Sequence, residues 1–552
     1  MLFCPKTSYK NCMKRIKENK WKIALVLLLI LQFLYMIYWG VQKSGYYVDE
    51  FFTYDNAHYI SESTPERIKL YEADFMKYDE WIDISELKST LVVTQNESLL
   101  QDSIKGNINA FISKWPYAAV LNYVESIFFE GKLTKWSALS INIVCFLLNQ
   151  VLIYCIMLRM SRNQTAAFMA MLLYGFSGMA VSMYVYVRMY MWITFMLSLF
   201  SYLHILMWDN RERHLYNLAY ESCAMLILFL MYRDSPLPVI YAIGMITGLT
   251  IALLLAKRWK QVMYYSIPVF TGGILYAVFK TDYVNIFMNP RKALAEGNLG
   301  SAVHSLVSGF VELTPEQFVV RMKDIVHMVV SCLFGHFYVV LLYTIIVAAL
   351  IVYYFCKHAY TRRAQVHYNE FIWILLGATA WYVIMSIAFK LGAIRYNSFV
   401  FPEIAMCASA LLVYLSTCTN RKYLSPILCG IIIVAEIVFT IKCSRFENLY
   451  QNEKCEIEAI ESQTGIDSLV VDYHFDDRIM YECLAYADEN TQVMFTKYGN
   501  TDYDDLPDEL LVWQSVNQDS DGLIQDLSSA GYNYIDWLAL THESRVFICK
   551  RY

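Results

Sequence analysis

The sequence predicts a polytopic α-helical membrane protein that ends in a small α/β domain. Three observations predict it. Hydrophobic residues make up 57% of the 552 positions and charged residues only 17%, whereas soluble domains carry charge at about a quarter of their positions. Eleven apolar stretches are long enough to cross a bilayer. The last 111 residues lose that pattern and turn acidic: residues 442–552 hold 22 Asp and Glu against 8 Lys and Arg, a balance of −14 where the whole chain has −5, so the remainder is +9.

Residues 1–21 form a basic leader, with Lys14, Arg15 and Lys17. The apolar run after it is too long for a signal-peptide core and no small-residue cleavage site follows, so it reads as an uncleaved first span. Spans are expected at about 22–41, 136–158, 165–187, 188–208, 215–232, 236–256, 262–280, 328–355, 370–390, 397–418 and 424–441, giving a transmembrane domain over 22–441. If the leader is cytoplasmic, every second short loop is cytoplasmic too. Those loops carry Arg159 and Arg162, Arg211 and Arg213, Lys257, Arg258 and Lys260, Lys357, Arg362 and Arg363, and Arg421 with Lys422. Each is basic, as orientation by positive charge requires. An odd number of spans then places the tail outside the cell.

Two outer loops are long, 42–135 and 281–327. In the first, Pro116 suits a first helical position, and Tyr117, Val120, Leu121, Val124, Ile127 and Phe128 recur on one helical face with Asn122 and Glu125 off it. An interfacial helix follows. In the tail, strands are expected at 468–473, 491–496 and 509–514, helices at 476–487 and 521–530, and a closing hairpin at 537–552. The 14 Cys contain no Cys-x-x-Cys pair and fall mostly in apolar runs, where cysteine acts as a small hydrophobe. No basic face with interleaved aromatics marks a nucleic-acid partner.

The residues able to carry chemistry lie at the outer mouth of the spans. Asp49 and Glu50 follow the first span by a few residues, among Tyr46, Tyr47, Phe51, Phe52 and Tyr54. A carboxylate there is a candidate general base, though the pair also reads as a solvated loop. Arg188 is nearly the only polar residue of the apolar turn Val185–Met191. A cation in that setting meets an anion or snorkels to headgroups. Arg395 lies in the turn Leu391–Tyr396 beside Lys390, and Lys114 precedes Trp115 and Pro116. Guanidinium groups match phosphate oxygens bidentately. Glu221 and Glu436 sit inside spans, and His327 and His336 lie near the eighth; the histidine spacing does not share a helical face, so no metal site is read from it. Outer carboxylates together with outer cations suit transfer from a lipid phosphate: the base takes a proton from an acceptor hydroxyl and the cations stabilise the departing phosphate. No nucleotide-binding glycine loop occurs.

At these residues the chain resembles the membrane-embedded (GT-C) glycosyltransferases, which include protein O-mannosyltransferases, lipid A aminoarabinose transferases and many bacterial relatives. The resemblance rests on Asp49-Glu50 after span one, Trp115-Pro116-Tyr117 at a helix entry, Arg188-Met189-Tyr190, and Arg395-Tyr396 with Pro402, in that order over about residues 20–420. It implies an inverting transferase of the cell envelope, with a polyprenyl-phosphate sugar as donor and a cell-envelope glycan, lipid or protein as acceptor. It also implies Asp49 or Glu50 as base, Arg188, Arg395 and Lys114 on the donor phosphate, and Tyr190, Tyr396 and Tyr117 lining the substrate. No cofactor is called for, and a divalent cation is compatible with the carboxylates. The chain departs from the family where relatives carry two prolines at Trp115-Pro116 and a Glu at the position of Tyr186. A lipid or polysaccharide transporter or flippase, and a polysaccharide polymerase or ligase, are the competing readings; a transporter would be expected to show inverted repeats and broken helices.

Overall fold

The structure is a computed structural model that describes residues 6–63, 78–113, 115–279, 313–358, 369–389, 391–419, 421, 423–443, 446–472, 477–499, 503 and 505–552. The protein is a multi-pass membrane protein. It divides into two compact units, one of Met1–Ile37, Ile143–Tyr184 and Met189–Phe446, the other of Tyr38–Asn142, Val185–Arg188 and Glu447–Tyr552.

Among the described residues, nine helices are long and apolar enough to span a membrane: Lys20–Gln42, Lys135–Ser161, Tyr190–Asp209, His214–Asp234, Pro238–Leu255, Phe337–Cys356, Phe371–Ala388, Ile394–Thr417 and Leu424–Cys443. Gln164–Gly175 and Gly178–Val185 meet at a 53° bend and count as a tenth if the pair is one broken span rather than a re-entrant loop. The expected span at 262–280 is present as the helix Trp259–Phe279.

In the first unit, His214–Asp234 packs against Tyr190–Asp209 and Trp259–Phe279, and Phe401–Thr417 packs against Gln164–Gly175. Pro238–Leu255 packs against Phe371–Ala388. Small residues set that last contact. A Cβ on Gly244 would stand 2.8 Å from the Trp381 ring and 3.1 Å from the Ala378 main chain, and Gly248, one turn on, faces Ile374. Glycines four apart let backbones approach where lipid supplies no hydrophobic drive. Between His214–Asp234 and Tyr190–Asp209, Glu221 is buried with its Oε2 3.4 Å from His204 Nε2, and in Leu424–Cys443 Glu436 accepts from Thr440 at 3.3 Å.

The second unit holds a six-stranded sheet in the order β1-β3-β2-β4-β6-β5. Its strands are β1 (Trp81–Asp83), β2 (Asp467–Asp472), β3 (Gln492–Lys497), β4 (Glu509–Ser515), β5 (Tyr534–Leu540) and β6 (Ser544–Lys550). β2 runs parallel to both β3 and β4, while β6 is antiparallel to β4 and β5. The three strands, the two helices (Asp477–Tyr486 and Asp521–Ser529) and the hairpin expected in the tail are all present. β1 adds to them from the first outer loop, antiparallel to β3 with Trp81 opposite Met494. Both sheet faces are covered. Leu469, Val471, Leu510, Val512, Phe547 and Cys549 pack with Leu523 and Leu527 of the helix Asp521–Ser529. Val470, Leu511 and Trp513, pointing the other way by the alternation of a strand, are also buried.

The helix Pro116–Phe128 forms as expected, with Tyr117 and Leu121 of its apolar face buried. Asn122 and Glu125 are inside, while Ile127 and Phe128 are exposed. The burial of Asn122 has a local cause: its amide donates to Ala57 O at 2.9 Å and Glu97 O at 3.2 Å, and its oxygen accepts from Leu99 N at 2.9 Å. A polar side chain that satisfies three main-chain groups belongs inside.

Candidate active site

Asp49 and Glu50 do not lie in an irregular loop. They open the helix Val48–His58. Two carboxylates in a first turn complement the positive end of the helix dipole. Glu50 also reaches back to accept from Tyr47 N at 2.7 Å, which satisfies a donor the helix itself cannot. Further along, Phe51, Tyr54 and Ala57 form the buried stripe, and Phe51 stacks on Tyr481 with ring centroids 5.1 Å apart.

The two carboxylates part company in burial. Glu50 is fully buried and Asp49 is half-buried. Glu50 accepts from Tyr47 N, from Val187 N at 2.6 Å and from Lys43 Nζ at 3.0 Å. Lys43, buried as well, donates onward to Asn448 O at 2.8 Å. Burial pushes the Glu50 carboxyl up and the Lys43 ammonium down, and each is opposed by the other's charge. The pair therefore joins three pieces of chain distant in sequence: the segment after the first span, the turn Val185–Arg188, and the start of the tail.

That turn is fixed from its other side. Asn142 Nδ2 donates to Tyr186 O at 2.8 Å, and the Tyr117 hydroxyl donates to Asn142 Oδ1 at 3.2 Å. So held, the turn delivers two side chains to Asp49. The Tyr186 hydroxyl donates to Asp49 Oδ2 at 3.1 Å. Arg188 Nη1 donates to Asp49 O at 2.5 Å and to Thr53 Oγ1 at 3.3 Å. Arg188 thus grips the main chain of Asp49, and among the described residues it makes no ion pair. Its Nε is buried without a hydrogen-bond partner, which leaves a charged donor able to bond an anionic oxygen.

The same unit holds a second polar group. Glu125 is buried, accepts from the Ser137 hydroxyl at 3.0 Å, and leaves Oε2 without a partner. Burial pushes its carboxyl up to about 8. Tyr54 donates to Thr134 O at 2.9 Å, and its ring meets Tyr46 edge-on at 6.2 Å.

Of the residues singled out in the sequence, Asp49, Glu50 and Arg188 come together in the second unit. Tyr117 is buried in the same unit, 2% exposed, behind the turn. Arg395, Tyr396 and Tyr190 belong to the first unit. There Arg395 stacks on the Tyr396 ring at 5.2 Å, Tyr396 O accepts from Tyr382 at 2.5 Å, and Tyr190 is buried. Lys114 lies outside the described residues. Sequence reading passed over Lys43 and Thr53 and met Tyr186 only as a departure from the family pattern. Lys43 was within reach: it directly follows a span and stands seven residues before Glu50.

The sequence matches no protein-family model and no curated protein. Two solved structures of ArnT from Cupriavidus metallidurans are similar to the chain. The one bound to undecaprenyl phosphate is 9% identical, with a TM-score of 0.47. The apo form is 10% identical, with a TM-score of 0.46. Each alignment covers 96% of this chain and 98% of the other.

Proposed function

We propose that the protein is an integral-membrane glycosyltransferase that moves a sugar from a polyprenyl-phosphate donor to a hydroxyl of a cell-envelope acceptor, on the outer face of the membrane and with inversion. The observation that supports this most is the pairing of a half-buried Asp49 carboxylate with Arg188, whose Nε is buried and has no hydrogen-bond partner.

On this reading Asp49 is the general base. It takes the proton of the acceptor hydroxyl as that oxygen attacks the anomeric carbon. The bond from that carbon to the phosphate oxygen breaks in the same displacement, and polyprenyl phosphate leaves with the electron pair. Arg188 offers Nε to the phosphate while Nη1 stays on Asp49 O, so one guanidinium fixes the spacing of base and leaving group. Arg395 and Lys114 are assigned further phosphate contacts from the family pattern alone. Glu50 has a different role: with every close partner a donor, it holds the helix that carries Asp49. The chain enters the bilayer from the cytoplasm, and with Trp259–Phe279 as the eleventh span the tail lies outside.

Reconstituted full-length protein, offered undecaprenyl phosphate and undecaprenyl phosphate glucose, tests the reading. Binding of the lipid phosphate by the wild type, weakened about tenfold or more in Arg188→Ala, is expected for loss of a charge-assisted hydrogen bond. Equal affinity in the two proteins would remove Arg188 from the phosphate, and no binding by the wild type would remove the donor.

A further inference from the structure

Three aromatic rings from three separate segments converge at the start of the helix that carries Asp49. Tyr47 directly precedes its helix, Tyr450 lies where the tail begins, and His542 sits in the turn between β5 and β6. The His542 ring is 5.9 Å from Tyr47 and 5.1 Å from Tyr450, centroid to centroid. Tyr47 and Tyr450 are half-buried and His542 is exposed, with 44% of its side chain open.

The surrounding chain is spent on holding these rings in place. Asn448 and Tyr450 both adopt left-handed backbone, with φ of 63° and 51°. That conformation is costly for a bulky side chain and persists only where its surroundings impose it. Here Lys43 Nζ bonds Asn448 O, Ser44 N bonds Leu449 O at 3.1 Å, and the Lys43 ammonium lies 5.4 Å from the Tyr450 ring centre. Gly45 leaves the necessary room, since a Cβ there would meet Tyr450 Cβ at 3.0 Å. The His542 turn is gripped by two carboxylates from different helical segments. Glu482 accepts from the Thr541 hydroxyl and from Glu543 N at 3.2 Å, and Glu453 accepts from His542 N. Catalysis by Asp49 needs none of this apparatus.

We infer that Tyr47, Tyr450 and His542 form a platform for a sugar ring next to the transfer centre, with Glu453 placed to accept from the sugar's hydroxyls. The inference rests on the glycosyltransferase reading and deepens it, by giving the tail domain a share in substrate recognition. The faces of aromatic rings are negative, and the C–H face of a pyranose offers them weakly positive hydrogens. The half-buried Glu453 carboxylate stands at the edge of the group. The sugar belongs either to the donor or to a saccharide acceptor; the chemistry of the platform is the same for both.

The full chain in nanodiscs is titrated with undecaprenyl phosphate, with the same lipid bearing glucose, mannose or galactose, and with soluble gluco-, manno- and galacto-oligosaccharides. The wild type should gain roughly three- to tenfold in affinity from a sugar on the lipid, or bind one saccharide class, the range expected of an aromatic contact. His542→Ala and Tyr450→Leu should lose that gain while binding bare undecaprenyl phosphate as the wild type does. His542→Phe, which keeps a ring, should retain it; a merely structural histidine would not be rescued this way. A ring-dependent gain on the lipids assigns the platform to the donor, and one on the oligosaccharides assigns it to the acceptor. If the wild type binds saccharide in a ring-dependent way but not undecaprenyl phosphate, the donor reading falls and the platform stands. Affinities that no sugar improves, or that both ring-removing variants leave unchanged, overturn the platform.

Discussion

The Tyr186 hydroxyl donates to Asp49 Oδ2 at 3.1 Å, across 137 residues of sequence. A carboxylate that must meet an acceptor hydroxyl cannot rotate freely, and this bond restrains it. Tyr186→Phe keeps the ring and removes the bond. A neutral hydrogen bond contributes about 1 kcal/mol, so turnover should fall roughly five- to tenfold with unfolding temperature nearly unchanged. Steady-state rates for the two proteins decide this; an unaltered rate would show that Asp49 needs no such restraint.

The Glu50–Lys43 pair should matter to folding rather than to chemistry. Both side chains are fully buried, 3.0 Å apart. Removing one member strands the other charge away from water, at a cost of about 3–5 kcal/mol. Glu50→Ala and Lys43→Ala should therefore lower the unfolding temperature sharply, while Asp49→Ala should not. Thermal unfolding of solubilised protein reads the difference. If Glu50→Ala unfolds like the wild type, the carboxylate is not the staple that its hydrogen bonds describe.

Much of the architecture was legible because periodicity carries it. The long apolar runs became helices, and the alternating segments of the tail became β2, β3 and β4 at nearly the expected bounds. What escaped was decided by partners far along the chain. Nothing within three residues of β1 foretells that Gln492 will donate to Asp83 from 409 positions away. Burial of Glu50 depends on Val187, and burial of Asn122 on Ala57 and Leu99. A helical wheel sorts side chains by polarity, and it places Asn122 and Glu125 outside because it cannot see the main-chain groups and hydroxyl waiting for them. The candidate site was half visible: the charged residues stood out, but not their division of labour.

Glu125 gives the protein a stability that depends on pH. Its carboxyl is held up near 8, against an ordinary value of 4.5, because it is buried, and Ser137 offsets this only in part. Tyr46 and Tyr54 share its surroundings, and burial raises both phenols well beyond the range in question. A folded-state value above the unfolded one means that the folded form holds the proton more tightly. The favourable contribution is full below pH 4.5 and is lost as pH rises toward 8. The whole span is on the order of 4–5 kcal/mol. Glu453 and Glu482, each raised to about 7 chiefly by burial, act in the same direction. Unfolding temperatures at about pH 5 and about pH 9 should therefore differ in the wild type, and Glu125→Gln should narrow the difference. An equal difference in the two proteins would mean that Glu125 is not the group responsible.

Asp49 and Arg188 are expected to fail in different ways when changed. Asp49 is half-buried at the start of its helix, and the Arg188 side chain bonds its main-chain oxygen, which Asp49→Asn retains. The amide keeps the shape, so the helix and the arginine should stay where they are. What disappears is basicity, and loss of general-base help costs about two to four orders of magnitude in rate. Donor affinity should hardly move, because the base acts only as the proton leaves the acceptor. Arg188→Ala should show the reverse balance. On the proposed reading it removes a cation that meets the phosphate before and during transfer, so binding of undecaprenyl phosphate should weaken along with the rate. It also frees Asp49 O and Thr53, so some loss of rate comes through the carboxylate's position. The two variants are separated by measuring lipid affinity and turnover on the same preparations. Asp49→Asn with near-normal turnover, in protein that unfolds as the wild type does, would place the base elsewhere. Since Glu50 has its oxygens engaged by Lys43, Tyr47 and Val187, it is not a ready substitute, and the one-step displacement itself would then be wrong.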